Sequence, residues 1–137
     1  MDAELDELSV DNVIQCEERI IFQSRALLPD NSQGEKQPRV VELQRLLHPL
    51  GSQTRLVALD RANSLALCFI CMTLAALMSL RDLWRSQQLG RIVESLFTFL
   101  SGASRKVSVK RLTWPLKDYE RCLDFFGAGK GRQTVLC

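Results

Sequence analysis

Cysteine and histidine are residue types that suit metal or redox chemistry, and this chain has five cysteines and one histidine. Cys68 and Cys71 form a C-x-x-C motif, but no second pair accompanies them, and His48 lies elsewhere in the sequence. A structural zinc site usually draws its four ligands from two such pairs. A redox pair usually stays accessible at the start of a helix, whereas this motif lies inside an apolar run. We therefore interpret both cysteines as packing residues and predict no metal or cofactor.

The sequence GAGKG at residues 127–131 resembles part of a phosphate-binding loop. The working motif is G-x-x-x-x-G-K-[ST], followed by a helix whose N-terminus holds the phosphate. Here Asp124 stands in place of the first glycine, and Gly131 in place of the serine or threonine. We interpret residues 127–137 as a flexible basic tail. No Ser-His-Asp or Cys-His arrangement can be assembled either, so we predict that the protein is not an enzyme.

The basic segment RKVSVKRLTW has the alternation of a strand with one polar face. Ser108 and Lys110 are predicted to lie on the outer face of a sheet, with Arg111 nearby. These three residues are our predicted partner-binding residues, on the hypothesis that an outer sheet face or an exposed edge strand receives another protein.

The same segment keeps a second interpretation open, a weak nucleic-acid-binding module that uses its cations and Trp114 to contact RNA. Aromatic sheet platforms need aromatic residues on two adjacent strands, and residues 65–73 supply only Phe69. A net charge of +2 over 137 residues also lacks the basic excess typical of nucleic-acid-binding domains. Protein binding is therefore the favoured interpretation.

The stretch SLALCFICMTLAALMSL, Ser64 to Leu80, contains no charged residue. Its seventeen residues fall short of the roughly twenty that a spanning helix requires. It can instead divide into a buried strand over 65–73 and the entry to the next helix, because a strand covered by helices can be apolar throughout. The alternative is a small single-pass membrane protein anchored by residues 64–80.

Composition and patterning predict one globular domain. Hydrophobic residues make up 46% of the chain and charged residues 25%. The acidic residues 1–12 are predicted to be flexible, and residues 13–126 to form the domain, with a polar loop at 29–38. The odd number of cysteines, five, and the absence of an apolar leader favour the cytoplasm or the nucleus.

Periodicity predicts an α+β, ferredoxin-like sandwich, with a four-stranded antiparallel sheet, two main helices on one face and a short C-terminal helix. Ser79 is the predicted N-cap of the main second helix, which Ser101 and Gly102 end. The predicted elements are a strand at 13–28, a helix at 38–50, strands at 54–60 and 64–73, a helix at 77–100, a strand at 106–114 and a helix at 116–126.

The helical segment LRDLWRSQQLGRIVESL carries a pattern found in a known family: W-R, four residues, G, one residue, two aliphatic residues, E, one residue and L. A D-Y-E sequence that includes Tyr119 follows the next strand. In these features the chain resembles the C-terminal domain of the death-effector-domain-containing DNA-binding proteins (DEDD family). More distantly it resembles the N-terminal domain of TRADD, the death-domain adaptors of TNF receptors. The residues that carry the resemblance are Trp84, Arg85, Gly90, Glu94 and Tyr119.

The resemblance implies a ferredoxin-like adaptor domain of cell-death or inflammatory signalling. The implied partner is a TNF-receptor-associated factor or another protein with a death or death-effector domain. From its position on the helix, Trp84 is predicted to be a core residue. A glycine within a helix costs about 1 kcal/mol relative to alanine, so Gly90 predicts a close crossing of this helix over the sheet.

Overall fold

The computed structural model describes residues 1–28, 38–61, 64–102, 105–127 and 135–136. Short 3-10 helices occupy Glu7–Ser9 and His48–Leu50. The other elements, in chain order, are β1 (Asp2–Leu5), α1 (Val13–Leu27), α2 (Pro38–Leu47), β2 (Thr54–Arg61), β3 (Leu65–Cys71), α3 (Leu74–Arg85), α4 (Gln88–Ser101), β4 (Val109–Thr113), α5 (Leu116–Gly127) and β5 (Val135–Leu136).

The sheet has the order β2-β3-β1-β4 and is antiparallel throughout. The predicted α+β class and the four-stranded antiparallel sheet are confirmed, and the chain follows the β-α-β-β-α-β order of ferredoxin-like folds. β5 pairs with the end of β3, beside Ile70 and Cys71. It falls in the predicted flexible tail, of which residues 128–134 and 137 lie outside the described part, together with most of the GAGKG sequence.

One face of the sheet is buried under the helices. Alternate residues of β3, from Leu65 to Cys71, point into the core, which also contains residues of all four helices from α1 to α4. The face predicted to carry two main helices therefore carries four, from α1 to α4. Cys68 lies on the outer face and Cys71 on the inner one, because they are three positions apart in a strand whose side chains alternate between the two faces. Burial raises the pKa of the Cys68 thiol, which lowers its thiolate fraction at neutral pH.

The first predicted strand, residues 13–28, is wrong: the segment is helix α1. Its buried residues recur at helical spacing, and Asn12 caps the helix by accepting a hydrogen bond from the Gln15 N–H. The prediction failed because Ile14 and Phe22, counted as strand residues, are 57% and 70% exposed. The buried stripe comprises Cys16, Glu17, Ile20, Ile21, Ser24 and Leu27.

The acidic N-terminus, predicted to be flexible over residues 1–12, contains strand β1 between β3 and β4. Ala3 and Leu5 are buried, whereas Asp2 and Glu4 point to the outer face. The pattern has the two-residue period of a half-buried strand, but four residues with two acids are too short to reveal it in the sequence. β1 supplies the strand that residues 13–28 were predicted to form.

The predicted helix over 77–100 is two helices, α3 and α4. They join at Gln87, which has a left-handed backbone with φ of 68°. The cap of α3 is Thr73, whose Oγ1 accepts a hydrogen bond from the Ala76 N–H at 3.0 Å, rather than Ser79. Gly102, at φ of 67°, ends α4 as predicted.

The uncharged run from Ser64 to Leu80 divides between β3 and α3, as the strand-and-helix interpretation predicted. Among the described residues, no helix has the length and apolar character needed to cross a membrane.

The predicted β-hairpin is confirmed as β2 and β3. The predicted helix at 38–50 is confirmed as α2 with its 3-10 extension, and the predicted helix at 116–126 is confirmed as α5.

Replacement of the observed cap by alanine should destabilise the fold. We expect Thr73→Ala to lower the free energy of unfolding by about 1 kcal/mol, because the Ala76 N–H loses its acceptor. Urea denaturation measures this change. Ser79→Ala is the matched control and should leave the midpoint almost unchanged; a larger loss for Ser79→Ala than for Thr73→Ala would contradict the assignment.

Candidate interaction groove beside strand β4

A groove of about 570 Å³ runs along β4, on the side away from β1. Its walls are β4, the end of α3 and the first half of α4. We call it the β4 groove. It is lined by Trp84, Arg85, Gln87, Gly90, Arg91, Glu94, Val109, Lys110, Arg111 and Leu112.

Two side chains from the helices hold β4 in place. The Trp84 indole Nε1–H donates to the Leu112 carbonyl at 2.9 Å, and Glu94 Oε2 accepts from the Val109 N–H at 2.8 Å. Both bonds reach backbone groups on the edge of β4 that pairs with no described strand. They reduce the tendency of that edge to pair with another strand, and they fix the distance between β4 and the two helices.

A buried arginine anchors the C-terminal end of β4. Arg81, on α3, is only 7% exposed, and its Nη1 donates to the Trp114 carbonyl at 2.9 Å. The guanidinium carbon lies 4.2 Å from the ring centre of Trp84, 5.1 Å from that of Trp114 and 4.8 Å from that of Tyr119. Cation–π attraction and the carbonyl thus replace water around this charge. Burial, and then the charge of Arg85, lower the pKa of Arg81, but arginine stays protonated at neutral pH.

Positive charge dominates the β4 groove. Arg85, Arg91, Lys110 and Arg111 are exposed, whereas Glu94 is the only acidic residue among the described residues that line the groove. Glu94 is already engaged by the Val109 N–H, and Lys106 Nζ lies 3.7 Å from its Oε1. Within the described part of the chain, neither Arg85 nor Arg91 forms an ion pair.

Two of the three predicted partner-binding residues line the groove. Lys110 and Arg111 both approach Glu4 of β1, at 4.0 Å and 3.9 Å, so they share one carboxylate. Ser108 lies outside the groove. Its N–H donates to Ser9 Oγ at 3.1 Å, and its carbonyl accepts from the Asp6 N–H at 2.9 Å. These bonds give Ser108 a structural role at the start of β4.

The residues that carried the family resemblance gather around β4. Trp84 and Glu94 bond to its backbone, Arg85 lines the groove, and Tyr119 packs edge-on against Trp114 with ring centres 5.4 Å apart. Trp84, predicted to be a core residue, is only half-buried.

The close helix crossing predicted at Gly90 is wrong. A Cβ built at this position meets no atom within 4 Å, and Gly90 faces the β4 groove instead. The absence of a side chain here therefore leaves the groove open between Arg91 and the end of α3.

The alternation of residues in the sequence indicated Lys110 and Arg111 as site residues. It did not indicate that Arg81, Arg85 and Arg91 lie close to one another. Their juxtaposition arises because the turn at Gln87 directs α4 back along β4. A usable signal was the i, i+3 spacing of Arg81 and Trp84, which places a cation next to an aromatic ring on one helix face.

Comparisons with known proteins add no identification: no family model, curated protein or solved structure matches the chain. Among the described residues, no group of three or more histidine, cysteine, aspartate or glutamate side chains is placed to hold a metal ion. The groove itself contains cationic side chains, the backbone of an edge strand and a half-buried indole ring, and these features are suited to binding.

Loss of the buried cation should destabilise the fold more than loss of an exposed one. We expect Arg81→Met to lower the free energy of unfolding by about 2 kcal/mol, because the Trp114 carbonyl loses a charged donor and three rings lose their cation. Arg85→Met, four residues along the same helix, is the control and should change it by less than about 0.5 kcal/mol. Equal effects in guanidinium denaturation would contradict the anchoring role of Arg81.

Proposed function

We propose that this protein is a non-enzymatic interaction module that binds an acidic segment of a signalling protein in the β4 groove. The observation that carries the proposal is the charge of the groove. Four exposed cations line it, of which Lys110 and Arg111 also approach Glu4, and the one carboxylate among its described lining residues is already engaged. A partner segment with two or three carboxylates would neutralise this surface, and electrostatic complementarity of this kind favours rapid and selective association.

The groove has a geometry that suits side-chain recognition rather than strand addition. The Val109 N–H and the Leu112 carbonyl are already bonded by Glu94 and Trp84. An incoming segment would therefore contact Arg85 and Arg91 through its carboxylates, and the guanidinium groups of these residues allow bidentate hydrogen bonds. The open space at Gly90 provides room for the backbone of the segment.

The resemblance to death-signalling adaptor domains supports a role in cell-death or inflammatory signalling. On that basis the partner is a TNF-receptor-associated factor or a protein with a death or death-effector domain, met in the cytoplasm or the nucleus. The structural part of the resemblance is consistent with this role, because Trp84 and Glu94 maintain the groove that Arg85 lines. The acidic segment is the feature by which such a partner would be recognised.

A selection from random peptides tests which ligand the β4 groove prefers. Peptides displayed on phage are selected on the full chain, and the affinity of the recovered peptide is measured by fluorescence anisotropy. We expect acidic peptides to be enriched. Arg85→Glu with Arg91→Glu should weaken binding by at least about tenfold, because two attractive contacts become repulsive. Arg121→Glu, an exposed reversal on α5, should leave the affinity unchanged.

A second variant separates the groove from general charge attraction. Gly90→Leu fills open space in the β4 groove, and leucine favours a helix over glycine by roughly 0.5–1 kcal/mol. We expect the melting temperature to hold or rise while peptide binding falls.

Two outcomes would overturn the proposal. One is the enrichment of neutral or basic peptides that bind Gly90→Leu as tightly as they bind the original chain. The other is tight, salt-dependent binding of poly-uridine RNA that the same charge reversals abolish, which would favour the nucleic-acid alternative.

A further inference from the structure

The opposite edge of the sheet is formed by β2, and it differs from β4. β2 is longer, with eight residues, and a bulge at Val57 interrupts its pairing with β3. In the described part of the chain, no other strand lies on its outer side. An edge of this length offers a row of backbone groups to another strand.

Hydrogen bonding across the sheet indicates which β2 residues face outward. The Leu67 N–H donates to the Met1 carbonyl at 2.8 Å, so the backbone of Leu67 faces β1. Backbone groups alternate between the two sides of an antiparallel strand, and the even-numbered residues of β3 therefore face β2. Their partners in β2 are Arg55, Ala58 and Asp60. The residues left with outward N–H and C=O groups are Thr54, Leu56, Leu59 and Arg61.

We propose that two copies of this chain associate through β2, paired antiparallel about a two-fold axis, to form one continuous sheet. In the register that we infer, Leu56 lies opposite Leu59 of the second copy, and Thr54 lies opposite Arg61 of the second copy. All four residues have outward backbone groups, so both pairs can exchange two hydrogen bonds. Two-fold symmetry repeats each pair.

The same register brings opposite charges together. Arg55 lies opposite Asp60 of the second copy, in a pair that is not hydrogen-bonded, where side chains approach most closely. Both residues lie on the outer face of the sheet, because they pair with Ile70 and Ala66 of β3. Both are exposed, and neither forms an ion pair with a described residue of its own chain.

Other registers do not provide this match. A shift of two residues in one direction places Arg55 opposite Ala58, and a shift in the other direction places it beyond the end of the strand. A shift of one residue sets outward backbone groups against inward ones. The charge pair and the hydrogen bonds therefore select the same arrangement. This inference does not depend on the β4 groove, which lies at the other edge of the sheet.

β4 is a poor partner for the same kind of association. Lys110 and Arg111 would oppose like charges in a second copy, and cross-strand like-charge pairs are destabilising. Its free edge is also bonded by Trp84 and Glu94. The two edges are thus distinguished by charge as well as by hydrogen bonding.

Reversal of the charges of Arg55 and Asp60, at the interface between the two β2 strands, tests the proposal. Sedimentation equilibrium of the full chain should show a monomer–dimer equilibrium. Arg55→Asp alone, or Asp60→Arg alone, should weaken the dimer by about tenfold or more, because each places like charges opposite each other twice. Lys117→Glu, an exposed reversal on α5, should leave the dimer unchanged. Both test positions are exposed, so thermal unfolding of the monomer, measured at concentrations below the dissociation constant of the dimer, should not shift.

The two single variants also test the register when they are mixed. Arg55→Asp presents two acidic side chains and Asp60→Arg presents two basic ones, so the mixture should form a heterodimer, and the double variant should recover the original affinity. The proposal would be overturned by a chain that stays monomeric at all concentrations. It would also be overturned by a dimer that the single variants do not weaken, or by a mixture that does not dimerise.

Discussion

The burial of one positive charge, the guanidinium of Arg81, constrains the C-terminal half of the chain. A buried charge is costly unless it is paired or hydrogen-bonded. Here the Trp114 carbonyl and three aromatic rings provide that compensation. Since these groups come from α3, the end of β4 and α5, the charge is satisfied only when the three elements meet. The β4 groove is a consequence of this arrangement, because Trp84 contacts the arginine and also bonds to β4.

The edges of the sheet set a second constraint, which the chain meets in two ways. At β4, helix side chains bond the free backbone groups, and cations line the adjoining space. At β2, the strand is long and carries two cations and one anion, of which Arg55 and Asp60 lie at positions symmetric about its bulge. The first arrangement suits acidic side chains, and the second suits a strand of the same sequence. A module with both could bind its partner as a pair of copies, which multiplies the effective affinity for a multivalent target.

Sequence patterning predicted the elements whose periodicity is undisturbed, such as the β2–β3 hairpin, α2 and α5. It failed at α1 because exposed apolar residues, Ile14 and Phe22, imitated a strand. It also failed at β1, where four residues are held by two neighbouring strands rather than by local propensity. The turn at Gln87 contains neither glycine nor proline, the residues that most often mark a turn in a sequence. Of the candidate site, alternation along β4 revealed Lys110 and Arg111, whereas Arg85 and Arg91 join them only through tertiary packing.

The central claim is that an acidic segment occupies the β4 groove, and nuclear magnetic resonance tests it most directly. The selected acidic peptide is titrated into the uniformly ¹⁵N-labelled chain, and backbone amide shifts are followed residue by residue. We expect the largest changes to fall on 85–94 and 109–112, at the two walls of the groove. Changes confined to the β2 edge, or to the outer face of β3 around Cys68, would contradict this claim.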